Sequence, residues 1–307
     1  MKRIILTAVV VVASLVAVLS AVSQPEAGAS IDPGSFQFRR GIPDGRPGAV
    51  ALILDAAALA HSRGPDEHFA DIRILDGSNR QVPYVVEHRD EPMALTLGVD
   101  RAFPPVAART SVAKSNWSTY RLELPSANLP PSQIAIDTSA RVFQRGVQIS
   151  ILRPADRHSR TAWLDVISAT VWAHVAADDP AAPLVLPVAP RDASELWLSI
   201  DEGDNSRLPI TAVRLLLPSY RLRFYRPARS SLQLVYGRSD LLAPRYDLAL
   251  LSPEVVGAEA VAVTPRAESR SGAIHRPLIS PLAFWIFLSL AVVVLLAVIV
   301  RLASRGS

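Results

Sequence analysis

Residues 196–217 read LWLSIDEGDNSRLPITAVRLLL, two apolar runs on either side of a short polar segment. In residues 196–200 leucine and isoleucine occupy every second position, which is the period-two pattern of a half-buried strand. Residues 210–217 have the same β character. Between the runs, Gly203 permits a positive φ angle, and its short polar neighbours can bond nearby backbone groups. The stretch therefore predicts two β-strands joined by a turn.

The same alternation recurs along most of the chain. Further predicted strands cover residues 49–54, 71–74, 81–86, 119–124, 133–136, 147–152, 163–171, 222–225 and 232–236. The turn dipeptide Asp76-Gly77 predicts a hairpin between residues 71–74 and 81–86. Residues 55–62 allow one short helical turn. Many short strands separated by frequent proline indicate β-sandwiches.

We therefore predict a mainly β fold with tandem β-sandwich domains. The N-terminal β-domain covers residues 34–110, and the second sandwich covers residues 112–252 and ends in a strand pair. Residues 253–280 are rich in Pro, Ala, Ser and Glu and show no periodicity. We expect them to form a flexible stalk, which would hold the domains away from a membrane.

Residues 1–29 have the layout of a secretory signal peptide. Lys2 and Arg3 precede an uncharged apolar segment, and small residues follow it. Cleavage sites are offered by residues 27–29 (Ala-Gly-Ala) and 21–23 (Ala-Val-Ser), and the apolar segment is also long enough to remain as an anchor. The chain has no cysteine, which excludes a lipoprotein, disulfides and thiolate metal sites.

Residues 282–300 form an uncharged apolar run long enough to cross a bilayer core of about 30 Å. Trp285 lies near its outer edge, where an indole ring suits the membrane interface. Arg301 and Arg305 follow, and positive charge places residues 301–307 in the cytoplasm. We predict a single C-terminal transmembrane helix in the inner membrane, with the bulk of the chain in the periplasm.

The positive charge of the chain is concentrated at its ends. The formal net charge is +4, and residues 1–29 and 301–307 account for most of it. The predicted periplasmic part therefore has a charge of only about +1. Nucleic-acid binding requires clustered cations, which this part of the sequence lacks, so no nucleic-acid partner is expected.

A series of motifs follows one another along the predicted outer domains. They are FQFRR (36–40), LILD (52–55), FADIRILD (69–76), QVPY (81–84), IDEGDN (200–205), LPI (208–210), LVYG (234–237) and APRYDL (243–248). In this order they resemble the bacterial domain of unknown function 3999 family. The resemblance implies an envelope protein with a signal peptide, β-rich outer domains and a C-terminal membrane helix. It also implies a polytopic membrane protein as partner, but no established activity.

The second domain has a looser resemblance to a known fold. IAID (134–137), VFQRGV (142–147), Trp163 and LWLSI (196–200), followed by the DEGDN turn, stand in the order seen in galactose-binding-like (discoidin-type) jelly-roll sandwiches. In that fold, ligands are usually bound by loops at one end of the sandwich. The resemblance therefore implies that a ligand would be bound by loops of this domain.

The DEGDN segment is a candidate ligand site as well as a turn. An EF-hand counted from Asp201 fails, because its third position is Gly203 and its twelfth is Ala212. A looser calcium site made by Asp201, Asp204 and backbone carbonyls is an alternative. So is a ligand-facing loop that includes Asn205. We favour the plain turn over both alternatives.

Four tryptophans fall in the second domain: Trp117, Trp163, Trp172 and Trp197. Aromatic rings can stack on sugars, but they also fill sandwich cores, and we favour core or domain-packing roles. If Leu198 faces the core, Trp197 faces outward or toward another domain. The candidate ligand-binding residues are thus Asp201, Asp204, Asn205 and Trp197.

No motif indicates an enzyme. His61 and His68 lie in one loop without the spacing of a zinc motif, and neither a nucleophile elbow nor a phosphate-binding loop occurs. We predict no catalytic residue, metal or cofactor. The expected function is a non-enzymatic protein-binding or scaffolding module in the cell envelope. The alternative is a carbohydrate-binding module that uses loops of the second sandwich.

Overall fold

A computed structural model describes residues 28–104, 116–155, 161–190, 192–228 and 230–271, together with positions 285, 288 and 289. Strand accounts for 48% of the structure and helix for 11%, which confirms the predicted mainly β class. The described strands form three sheets.

Both predicted membrane-related segments lie almost wholly outside the described residues. Of the predicted signal peptide only residues 28 and 29 are described, and of the predicted span only positions 285, 288 and 289. Within the described ranges, no helix has the length and apolar character needed to cross a bilayer.

The strands are short at the two ends of the chain and longer in its middle. In chain order they are β1 (Phe38–Ile42), β2 (Gly48–Leu54), β3 (Arg73–Leu75), β4 (Tyr84–Thr96), β5 (Val99–Arg101), β6 (Trp117–Glu123), β7 (Ser132–Thr138), β8 (Phe143–Arg153), β9 (Trp163–His174), β10 (Leu184–Val188), β11 (Glu195–Asp201), β12 (Ile210–Arg226), β13 (Leu232–Tyr236), β14 (Val261–Val263) and β15 (Ser269–Arg270).

Within residues 28–271, the described part of the chain has two short α-helices, α1 (Ala56–His61) and α2 (Ser252–Gly257). Helix α1 occupies the predicted helical turn. The Asp55 side chain caps its first turn by accepting a hydrogen bond from the Ala58 N–H. Single 3-10 turns lie at Pro33–Ser35, Pro65–Glu67 and Asp247–Leu251.

The four-stranded sheet joins the two ends of the described chain. Its order is β15-β1-β13-β3, and all its pairings are antiparallel. Phe38 in β1 lies opposite Tyr236 in β13 and opposite Arg270 in β15. Strand β13, which we predicted as part of the second domain, therefore pairs with strands from the N-terminal segment.

The six-stranded sheet is built on β12, which has 17 residues. One edge of β12 pairs with β7 near its start and with β2 near its end, while the other edge pairs with β4. The ladder with β4 shifts register between Leu217 and Ser219. Pro218 stands at that shift, because proline has no N–H to donate to a ladder.

Two details of the sequence prediction change here. Residues 210–217 and 222–225 were predicted as separate strands, but both belong to β12, since a proline at a register shift does not have to end a strand. Strands β2 and β4 come from the predicted N-terminal domain, and β7 and β10 from the predicted second domain. All four share one sheet with β12.

The five-stranded sheet has the order β5-β6-β11-β8-β9. Leu196, Leu198 and Ile200 of β11 share one buried core cluster with Leu215 and Leu217 of the six-stranded sheet. The alternating pattern of the opening stretch thus places its leucines in the core, and the arrangement is consistent with a β-sandwich.

The predicted hairpin around Asp76-Gly77 is reduced to its turn. Leu75 and Gln81 form an isolated bridge, and the Asp76 carboxylate accepts hydrogen bonds from the Ser78 and Arg80 N–H groups. Beyond this bridge the two arms separate, because β3 pairs with β13 whereas β4 pairs with β12.

The structure also corrects the first part of the predicted stalk, residues 253–280. Helix α2 and strands β14 and β15 lie within residues 252–271. Strand β14 runs parallel to β2, and β15 pairs with β1. The segment gave no periodic signal because its strands have only three and two residues and are held by pairing with distant parts of the chain.

Candidate functional site

The DEGDN segment is a turn that follows β11 directly. Asp201 is the last residue of β11, and its Oδ1 accepts hydrogen bonds from Asn116 Nδ2 at 3.0 Å and from the Gly203 N–H at 3.1 Å. Gly203 has a φ of +57°, a conformation that costs glycine little. The segment therefore has the turn geometry predicted from its glycine and short polar residues.

Glu202 anchors this turn, and its role was not predicted. Its Oε2 accepts hydrogen bonds from Arg145 Nε at 3.0 Å and from the Leu208 N–H at 3.1 Å. Arg145 also donates to the Ser206 carbonyl oxygen. The sequence carried one clue, because Arg145 alternates with Phe143 and Val147 on the apolar face of β8, where a charge needs a buried partner.

The remaining two polar residues of the turn face solvent. Asp204 and Asn205 are both exposed. The N–H and the side-chain amide of Asn205 each donate to the Glu202 carbonyl oxygen at 3.1 Å. Across the described ranges, no three His, Asp or Glu side chains are grouped as ligands for a metal ion.

Trp197 is buried on the side of its sheet that faces away from the core cluster. Leu196 and Leu198 belong to the core cluster, so Trp197 points to the opposite side of its sheet, as the alternation requires. Its side chain is nevertheless only 3% exposed, and its indole N–H donates to Glu195 Oε1 at 3.1 Å. A ligand would not reach this ring without a rearrangement, and Trp197 is not brought together with the DEGDN side chains in an open site.

The other tryptophans do not form an exposed platform. Trp172 is buried and packs edge-on against Phe143, with ring centroids 5.0 Å apart. Trp117 is half-buried, and Trp163 is 39% exposed at the start of β9. The core or domain-packing roles that the sequence favoured fit the buried Trp172 and Trp197, and Trp163 is the most exposed of these four tryptophans.

A second polar cluster fastens residues 265–271 to the N-terminal part of the fold. Glu268 Oε2 accepts a hydrogen bond from the Tyr236 hydroxyl at 2.5 Å and lies 2.9 Å from His61 Nδ1. Burial, followed by the hydrogen bond and charge of Glu268, raises the pKa of Tyr236 above its usual range, so its hydroxyl stays protonated and donates. His61 stacks on Phe38, with centroids 4.5 Å apart.

Arg40 and Asp55 form a bidentate ion pair beside that cluster, with nitrogen–oxygen distances of 2.6 and 2.8 Å. Burial by itself raises the pKa of Asp55, but the hydrogen bonds from Arg40 and the Ala58 N–H outweigh burial, so the pKa is lowered overall. Arg40 also donates to the carbonyl oxygens of Pro265 and Arg266. Both clusters hold residues 265–271 against the N-terminal part of the fold.

Asp71 of the FADIRILD motif (69–76) is a fully buried carboxylate. Its two oxygens accept hydrogen bonds from the Arg63 N–H at 2.9 Å and the Gly237 N–H at 2.7 Å. It therefore ties the loop after α1 to the end of β13, a structural role for this motif.

The structure also contains an apolar groove that the sequence did not indicate. It has a volume of about 520 Å³ and is lined by Pro92, Pro131, Pro187 and Pro218 from four different segments. Aliphatic side chains such as Ile167 and Leu216 complete its walls, and Ser132 and Gln133 are its polar residues. The Ser132 hydroxyl already donates to the Pro130 carbonyl oxygen at 2.6 Å.

Five strands, β4, β7, β9, β10 and β12, and the register shift of β12 create this groove. Strand β7 begins at Ser132 on one edge of β12, and β2 does not join the same edge until Tyr220. The gap between them lies at Pro218. Scattered prolines in a sequence give no indication that they will line one surface, because only sheet register brings them together.

Comparison with protein-family models, curated proteins and solved structures finds no match to this chain. What the structure defines directly is a mainly β protein with an apolar groove and a turn anchored by a buried ion pair.

Proposed function

We propose that this chain is a non-enzymatic, membrane-anchored envelope protein whose β-sandwich fold binds another protein in the periplasm. The predicted signal peptide, C-terminal span and jelly-roll character of the second domain belong to this proposal. So does the resemblance to the domain of unknown function 3999 family, which implies a polytopic membrane protein as partner. The observation that carries it is the proline-lined groove.

The chemistry of the groove favours a protein partner over a sugar. Recognition of a sugar needs several polar groups that converge on its hydroxyls. The groove instead presents proline rings and aliphatic side chains. Ser132 is one of its two polar residues, and its hydroxyl already donates a hydrogen bond to the Pro130 carbonyl oxygen. Binding is favoured when apolar groups of a partner cover such a surface, because the apolar area is then removed from water.

The groove also suits an extended segment. Its walls come from β4, β7, β10 and β12 of the six-stranded sheet and from Ile167 in β9 of the five-stranded sheet, so it is an open groove where the two sheets meet and not an enclosed cavity. We therefore infer that an extended apolar loop of a membrane-embedded partner lies across it.

Site-specific photocrosslinking of the full-length protein in its native membrane tests this proposal. A benzophenone amino acid replaces Gln133 in the groove, and the matched control replaces Gln144, which is also exposed, lies on β8 and does not line the groove. We expect Gln133 to give one discrete adduct with an integral membrane protein, identified by mass spectrometry, and Gln144 to give none.

A blocking variant makes the result specific to the groove. Ala189→Arg places a long cation at the groove wall and is expected to abolish the adduct from position 133. Adducts of equal yield from both positions, or an adduct that persists in Ala189→Arg, contradict binding in the groove.

A further inference from the structure

The proline-lined groove continues at one end into a second, more polar cleft. This cleft has a volume of about 320 Å³, and Pro131 lines both the groove and the cleft. Residues 128–131 of the cleft run on into residues 131–133 of the groove, and Asp192 of the cleft follows shortly after residues 187–189 of the groove. A ligand that lies in the groove can therefore extend into the cleft along the same two segments of chain.

The opposite wall of the cleft is the loop that follows α1. Residues 62–66 form this wall, together with Leu59 of α1. Across the cleft, the Asp192 N–H donates to Oδ1 of Asn128 at 3.2 Å, and this bond ties together the two segments that come from the groove. The cleft is therefore built from three separate parts of the sequence.

The carboxylates of this surface lie at the cleft end. None of the described residues that line the groove is ionisable, whereas Asp66 and Asp192 line the cleft. Both side chains are exposed, and within the described part of the chain neither carboxylate has a hydrogen-bond or ion-pair partner. Burial, and after it the negative charge of Asp66, raises the pKa of Tyr220 in β12. The charge of Asp66 therefore acts on the strand that also lines the groove.

The positive charge that lines the cleft is already paired. Arg63 forms an ion pair with Glu67, and its Nη1 donates to the carbonyl oxygens of Ser239 at 3.1 Å and Leu241 at 2.8 Å. Its guanidinium group is therefore held toward these acceptors. Among the described side chains that line the cleft, the unpaired charges are the two carboxylates, and the cleft is negative.

We propose that the groove and the cleft together bind one extended segment of the partner protein, with its apolar residues in the groove and a lysine or arginine side chain in the cleft. This inference rests on the proposed function and specifies the chemistry of the partner segment, an apolar stretch next to a basic residue. A basic side chain meets opposite charges in the cleft, whereas an acidic one would meet like charges. Partly exposed ion pairs add modest affinity, but they discriminate between segments that are equally apolar.

A free metal ion fits the cleft less well than an organic cation. Calcium takes about six to eight oxygen ligands, and the described residues contain no group of three His, Asp or Glu side chains placed to hold a metal ion. A lysine or arginine side chain needs only acceptors within reach of its N–H groups. The adjoining apolar groove also gives a peptide segment a second contact, which a metal ion could not use.

Photocrosslinking from position 133 of the full-length protein in its native membrane measures this preference. Asp66→Asn/Asp192→Asn removes both charges of the cleft. Asp179→Asn/Asp204→Asn is the matched control, because it changes the net charge equally at two exposed carboxylates that do not line the cleft. The cleft variant is expected to lower the adduct yield about fivefold and to remove most of its dependence on salt concentration. The control variant should retain both.

A charge exchange separates recognition from a loss of structure. The partner peptide joined to position 133 is sequenced by mass spectrometry, and we expect a lysine or arginine within a few residues of the joined position. Asp66→Lys/Asp192→Lys is expected to abolish the adduct, and replacing that basic residue of the partner by glutamate is expected to restore it. A purely structural role of the two aspartates would give no such restoration.

The possible results distinguish this inference from the proposed function. No adduct from position 133 in the wild-type protein contradicts binding in the groove itself. A wild-type adduct whose yield is unchanged or higher in Asp66→Asn/Asp192→Asn leaves groove binding intact and overturns the cationic contact. A joined peptide without a basic residue near the joined position also overturns it.

Discussion

Arg145 donates from its Nε to Oε2 of Glu202 over 3.0 Å, and the two side chains are only 8% and 5% exposed. This pair links the beginning of β8 to the turn between β11 and β12. Oε1 of Glu202 is buried too, and it has no hydrogen-bond partner among the described residues. The buried charges therefore depend on each other, since neither has access to water that would replace its partner.

Glu202→Gln is expected to lower the free energy of unfolding by about 3 kcal/mol, because it leaves the Arg145 charge buried without a counter-charge. The measurement is urea unfolding of the full-length protein in detergent. Asp204→Asn is the control in the same turn, and its exposed side chain should matter by less than about 0.5 kcal/mol. Equal losses for the two variants would contradict the structural role of the ion pair.

The Arg40–Asp55 pair predicts a pH dependence. The folded protein lowers the pKa of Asp55, so the pair contributes its stability above the unfolded pKa of about 3.9 and loses it as the pH falls through the lower folded value. Asp55→Asn keeps a capping side chain for α1 but removes the charge. It is expected to be less stable than wild type by about 3 kcal/mol near pH 7.

That difference should shrink as the pH is lowered from about 5 to about 2, and thermal unfolding across this range measures it. A gap between wild type and Asp55→Asn that is independent of pH would show that the charge of Asp55 is not what stabilises the fold.

Gly237 is required by its conformation and by its neighbour. It has a φ of +85°, and a Cβ atom at this position would lie 2.6 Å from Phe38 Cδ2. Gly237→Ala is therefore expected to destabilise the protein by about 2–3 kcal/mol through strain and overpacking. Gly98→Ala is a matched control with no atom within 4 Å of the new Cβ, and its melting temperature should stay close to that of wild type.

The Glu268 cluster predicts protection of residues 265–271 from protease. The Arg266 N–H donates to the Gly41 carbonyl oxygen and the Ser271 N–H to the Gln37 carbonyl oxygen, so the backbone is held against β1. Glu268→Ala removes the acceptor of the Tyr236 hydroxyl and should accelerate trypsin cleavage after Arg266 and Arg270. Glu259→Ala, at an exposed position, should leave the cleavage rate unchanged.

Cleavage after Arg266 and Arg270 at the same rate in wild type and Glu268→Ala would show that the cluster does not hold this segment. The comparison matters for the architecture, because residues 265–271 directly precede the part of the chain that we predict to lead to the membrane.

The predicted strands and the actual strands agree where side chains alternate. Residues 196–200 lie within β11, with the leucines in the core as expected. The turn at Gly203 was also predictable, because short polar residues around a glycine determine local backbone geometry. The prediction missed strands that form only by pairing with distant parts of the chain. Strands β14 and β15 are examples, and they are too short to show a periodic pattern.

The candidate site shows the same difference between features set by neighbouring residues and features set by distant ones. Asp201, Asp204 and Asn205 were predicted together because they are neighbours in sequence, and they do share one turn. Glu202 was missed because its partner, Arg145, is 57 residues away. The groove was missed because Pro92, Pro131, Pro187 and Pro218 come together only through sheet register.

The sequence by itself determined the β class, the alternating core positions and the local turn geometry, all of which depend on neighbouring residues. The tertiary structure alone decided that β12 is one strand shared by both predicted domains, that residues 252–271 pack against the fold, and that four prolines from separate segments line one groove. Each of these depends on which distant segments pair. That choice is made by the burial of whole sheet faces, which no local pattern of residues specifies.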